Sequence, residues 1–102
     1  MSILHTVNKS PFERTSLDSC LKFAAPGAAV LLIEDGVYAA LCDTSAAALV
    51  KDALKTVKIY VLGPDLKARG FAAGRLIPGI GVLDYAGFVD LAAASEKVQA
   101  WL

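Results

Sequence analysis

Apolar and polar positions along the chain alternate between strand-like runs and helix-like stripes. SILHTV (2–7) is a β-type run that stops at Asn8, Lys9, Ser10 and Pro11. In TSLDSCLKFA (15–24), Leu17, Cys20, Leu21 and Ala24 recur at the i, i+3, i+4, i+7 spacing of an amphipathic helix. Thr15 with Asp18 three residues on resembles a capping box, and Pro26-Gly27 ends the segment. AAVLLIE (28–34) is continuously apolar, as a strand covered on both faces must be. GVYAAL (36–41) reads as helical, and SAAALVKDALKT (45–56) more strongly so, with Leu49, Val50, Ala53 and Leu54 turned inward. VKIYVLG (57–63) is a third strand, and PDLKARG (64–70) a short helix with Pro in its first turn and Gly past its end. GVLD (81–84) is a fourth strand and YAGFVDLAAASE (85–96) a helix capped by Asp84, with VQAWL (98–102) as a last short strand.

Strand followed by helix, repeated, predicts an α/β fold. Its expected form is a three-layer α/β/α single domain over residues 1–102, with a mainly parallel sheet of about five strands and right-handed crossovers. A chain of 102 residues and 10.7 kDa is one domain by length, large enough to build a core without disulfide or metal staples.

Composition adds a constraint on partners. Hydrophobic residues make up 56% of the chain and mean hydropathy is +0.55, high for a soluble domain. Ten basic and ten acidic residues cancel, which argues against a nucleic-acid binder, since that role needs a basic face. An apolar small domain without net charge is expected to hide surface against another protein. The longest unbroken apolar stretch, AAVLLI (28–33), is far short of the ~20 residues of a membrane span. MSILHTVNKSPFERT lacks the basic and apolar regions of a secretory signal, and Cys20 and Cys42 are too few for a disulfide framework. The expected compartment is the cytoplasm.

Candidate chemistry is sparse. Open α/β sheets place sites at the carboxyl ends of their strands, and those ends carry Asn8-Lys9-Ser10, Glu34-Asp35-Gly36, Gly63-Pro64-Asp65 and Asp84-Tyr85. Gly79-x-Gly81 precedes a strand instead of following one, so it is no dinucleotide fingerprint, and no phosphate-binding GKS/T loop exists. The carboxylates are better suited to capping helices than to holding Mg²⁺. His5, the only histidine, lies inside the first strand and reads as a packed side chain. No GxSxG elbow exists, and two cysteines with one histidine cannot complete a structural zinc site. Cys20 lies on an apolar stripe, where burial would quiet the thiol, although Lys22 and Arg14 are near enough in sequence to favour a thiolate at the edge of that stripe. Cys42 has no nearby base and is given no role. Phe12, Tyr38, Tyr85 and Trp101 lie at element ends, where core and interface roles are equally open.

The blocks LHTVNKSPF (4–12), LLIEDGVYAAL (31–41), YVLGPDLKARGF (60–71), DYAGFVDL (84–91) and VQAWL (98–102) resemble, end to end and in register, the DsrH/TusB family of sulfur-relay subunits. The resemblance implies assembly with DsrE-like and DsrF-like subunits as a dimer of heterotrimers, the DsrEFH complex. That complex carries cysteine persulfide and passes sulfur to or from a DsrC-like protein in dissimilatory sulfur oxidation. The family's other branch implies a TusBCD complex that hands sulfur to TusE for tRNA 2-thiouridine. The main sulfur-accepting cysteine of these complexes belongs to the DsrE or TusD subunit. The resemblance makes Cys20, in the first helix, the candidate persulfide carrier of a DsrH-type chain, with a purely structural subunit as the alternative. It implies no metal and no organic cofactor, because thiol exchange requires only a reachable thiolate.

Overall fold

Five strands form one sheet in the computed structural model, which describes residues 2–102. They are β1 (Ile3–Val7), β2 (Ala29–Leu32), β3 (Lys58–Leu62), β4 (Gly81–Leu83) and β5 (Lys97–Trp101), in the spatial order β4-β3-β2-β1-β5. Every neighbouring pair is parallel, with Leu4 opposite both Ala29 and Val98, Leu31 opposite Tyr60, and Val61 opposite Val82. The helices are α1 (Ser16–Phe23), α2 (Ala47–Ala53), α3 (Gly63–Ala68) and α4 (Tyr85–Ala94), with a 3-10 helix at Glu34–Ala40 and a short one at Ala73–Arg75.

Handedness turns this strand order into layers. The steps from β1 to β4 all move the same way across the sheet, so right-handed crossovers put α1, the first 3-10 helix, α2 and α3 on one face. The step from β4 back to β5 runs in the opposite direction and puts α4 alone on the other face. The two cores follow. The larger holds Val7, Val30, Leu32, Ile59 and Val61 from the sheet against Leu17, Cys20, Val37, Ala40, Val50 and Leu66. The smaller holds Leu4, Leu31 and Leu62 against Phe88, Leu91 and Ala92 of α4. Residues 30–32 are fully buried because both faces of β2 are covered, which accounts for the unbroken apolar run there.

Several local expectations differ from what forms. Thr15 makes no side-chain cap, so the capping-box reading of Thr15 and Asp18 fails, and Asp18 instead pairs with Lys22 at 3.0 Å. The 36–41 segment is a 3-10 helix beginning at Glu34, closed by an i→i+3 bond from Gly36 N–H to Ile33 C=O at 2.8 Å. Gly36 lies so close to β1 that a Cβ there would overlap the Val7 carbonyl, which makes glycine obligatory. Helix α2 is shorter than its pattern, and Ala47 and Val50 point inward. Leu49 consequently turns outward and is 39% exposed, contrary to the inward position its spacing implied.

Candidate functional site

Cys20 is the first residue to place. It lies midway along α1 with its side chain facing the sheet, and it is 0% exposed within the larger core. Burial pushes its thiol up to about 12, because a thiolate there would lose its hydration without gaining a partner. Lys22, a cation expected to favour the thiolate, is engaged with Asp18 on the solvent side of the helix. The raised value keeps the thiol protonated at neutral pH. Cys42 is exposed, its N–H donating to the Arg75 carbonyl at 2.9 Å.

The carboxylate rim forms, and its acids bind the protein's own groups. Asp65 Oδ2 accepts the Glu34 backbone N–H at 2.7 Å, holding Glu34 at φ 49°, a left-handed conformation uncommon outside glycine. Asp35 Oδ1 receives Arg69 Nε at 3.0 Å and Nη2 at 2.9 Å, while Arg69 Nη1 also donates to the Asp65 carbonyl at 3.4 Å. These bonds tie the end of β2 to α3. Asp84 caps α4 by accepting the Gly87 N–H at 2.7 Å, as its position implied. Away from the rim, Arg75 pairs with Asp43 at 2.9 Å, and this hydrogen bond holds the Asp43 carboxyl below its usual range. No group of three metal-ligating side chains occurs among the described residues.

His5 is packed between α1 and β5, as a strand side chain under a covering layer should be. Its Nδ1 accepts the Trp101 indole N–H at 3.1 Å, and its ring meets Phe23 edge-on with centroids 6.2 Å apart. Desolvation, and secondarily the charge of Lys97, holds the imidazole below its ordinary value of 6.5, so it is neutral at physiological pH. Trp101 and Tyr38 are therefore packing residues; Tyr38 stacks edge-on against Phe71 at 5.7 Å. Phe12 and Tyr85 remain exposed.

The larger feature is a surface, and only one end of it was legible in the sequence. Helix α4 has no fully buried residue although eight of its ten residues are Tyr, Phe, Val, Leu or Ala. Tyr85 and Val89 project from it, 60% and 64% exposed. On the same side of the sheet, β5 presents Val98, and Leu102 follows at 79% exposed. A lone soluble domain rarely leaves one helix and an adjoining edge strand this apolar. Only the aromatic at position 85 was marked by its place at an element end; Val89 and Val98 carry no signal until the crossover direction assigns them to a thinly covered face.

Comparison with known proteins gives concordant results. The family model described as "DsrH like protein" matches residues 9–98. Protein TusB of Erwinia tasmaniensis is 43% identical over 101 residues, covering 97% of this chain and all of TusB (100%). Protein TusB of Escherichia coli O1:K1 is 34% identical over 99 residues, with 97% and 100% coverage. Among solved structures, the ychN protein from E. coli superposes with a TM-score of 0.85 at 18% identity, covering 98% of each chain. A protein of unknown function, MTH1491 from Methanobacterium thermoautotrophicum, superposes with a TM-score of 0.74 at 14% identity, covering 96% of this chain and 97% of that one. At these identities the two structures show a shared fold alone.

Proposed function

This chain belongs to the DsrH family, and from that premise we propose that it is a TusB-type subunit of a sulfur-relay assembly, shaping the complex without carrying sulfur itself. The relatives named TusB support the tRNA-thiolation branch over the DsrEFH sulfur-oxidation branch that the first-helix cysteine had favoured. The partners on this reading are TusC-type and TusD-type subunits, with a TusE-type protein receiving the sulfur, all in the cytoplasm.

The chemistry of persulfide relay supports this division of roles. In persulfide relay an accepting thiolate attacks the outer sulfur of a donor persulfide. The new S–S bond forms as the old one breaks, and the donor cysteine departs as a thiolate. The acceptor must therefore be ionised and reachable at neutral pH. Cys20, wholly buried with its thiol raised to about 12, is neither, and this is the observation that carries the proposal. The Cys20-carrier role would require α1 to leave the sheet. The active cysteine is assigned to the TusD-type partner, and the exposed apolar surface of α4 and β5 supplies area for subunit contacts.

Complementation tests the reading. Introduced into a bacterium lacking its own TusB, the chain should restore 2-thiouridine in tRNA, read by nucleoside mass spectrometry, and Cys20→Ala should restore it equally. No restoration by the wild-type chain, expressed together with its native TusC- and TusD-type partners, would refute the assignment.

A further inference from the structure

A cavity lies on the α1 side of the sheet, at the amino ends of β1 and β2. It has a volume of about 230 Å³ and is walled by Ile3, His5, Phe23, Ala25, Pro26 and Ala28. Its lip is stiff. Pro26 and Gly27 occupy the central positions of a turn closed by Ala28 N–H to Ala25 C=O at 3.0 Å, and Gly27 has φ 87°, the pattern of a type II turn. Gly27 N–H further donates to the Thr56 carbonyl at 2.7 Å. Phe23 closes one side with its ring 62% exposed, an aromatic face left in water.

His5 supplies the one polar side chain of this lining. Because Nδ1 of the neutral His5 accepts from Trp101, the ring proton must be on Nε2. Among the described residues that N–H makes no hydrogen bond, and the atom keeps some contact with solvent. A donor held in an apolar hollow gains most from a ligand that brings one acceptor and fills the remaining space with apolar surface. Lys97, opposite Ile3 in register, disfavours a cation, and an anion would lose its hydration for a single hydrogen bond. An apolar cavity of about 150 Å³ already accommodates benzene, so a substituted six-membered ring is of suitable size.

We infer that this cavity is a binding site for a small neutral ring compound with one acceptor oxygen, of the phenol class, its oxygen on His5 Nε2–H and its ring against Phe23 and Pro26. The site lies across the sheet from α4, so it stands or falls apart from the subunit reading.

The test titrates para-cresol against toluene on the full chain, read by saturation-transfer NMR of the ligand and by Trp101 emission. Both readouts work whether the chain is monomeric or self-associated. Saturable para-cresol binding is expected, at least tenfold tighter than toluene. Phe23→Ala should weaken it at least fivefold, and Ala25→Phe, filling the hollow from an exposed position, should abolish it. His5→Phe should bring para-cresol and toluene within twofold of each other. Absence of saturable binding, equal affinity for toluene, or binding that survives Ala25→Phe would each overturn the inference.

Discussion

Trp101 and His5, separated by 96 positions in sequence, share a hydrogen bond of 3.1 Å in which the indole N–H donates to Nδ1. The bond joins the last strand to the first and fixes which nitrogen of the only histidine keeps its proton. Phe23, with its ring 5.7 Å from that of Trp101, completes an aromatic corner where α1, β1 and β5 meet. Edge strand β5 is held by its ladder to β1 and by this corner.

The corner gives stability a pH dependence. Burial keeps the folded imidazole below 6.5, so the unfolded chain takes up the proton first as pH falls. The contribution of neutral His5 is fully present above pH 6.5 and is lost as pH drops toward the folded value. The slope for one site is at most about 1.4 kcal/mol per pH unit. Urea midpoints at pH 7.5 and 5.5 should differ more for the wild type than for His5→Phe. Trp101→Phe, which removes the donor favouring the neutral ring, should narrow the difference in the same direction.

The two cysteines should react very differently. In the native chain Cys42 should be alkylated rapidly by iodoacetamide while Cys20 stays intact until urea unfolds the protein, read by peptide mass spectrometry. Cys20→Ser should cost about 1–3 kcal/mol in urea denaturation, since the hydroxyl would be buried without a partner. Because the folded thiol is raised, its contribution is intact below its ordinary value of 9.0 and lost as pH climbs toward about 12.

Gly36 should tolerate no side chain. Gly36→Ala drives a methyl into the Val7 carbonyl and must shift either β1 or the 3-10 helix, at a cost of about 1–3 kcal/mol. Asp84→Ala should cost about 1 kcal/mol through loss of the α4 cap. Equilibrium denaturation of each variant measures both effects.

The extent of sequence legibility follows physical lines. Element order, the parallel sheet and the Asp84 cap could be read because each rests on local periodicity or on one side chain with one job. The boundaries of α2 and the 3-10 character of residues 34–40 could not, since the two segments pack on each other and the 3-10 helix also packs on β2 and α3. Leu49 shows the limit most clearly: the stripe that packs inward is Ala47 and Val50, which leaves Leu49 on the surface. Cys20 was legible as a position and ambiguous as chemistry, because an apolar stripe has an edge and a centre and only the packed structure distinguishes them. The exposed surface of α4 and β5 was hidden for a different reason. Its residues look like core until the reversed final crossover leaves them on a face that α4 alone covers.

Location of sulfur in the assembled complex tests the central claim most directly. The chain is purified with its TusC- and TusD-type partners, loaded with ³⁵S-labelled persulfide, and each subunit's cysteines are mapped by mass spectrometry. The expected result is label on the TusD-type partner, with Cys20 found as a free thiol at every time point. Label accumulating on Cys20 and then passing to the TusE-type acceptor would contradict it.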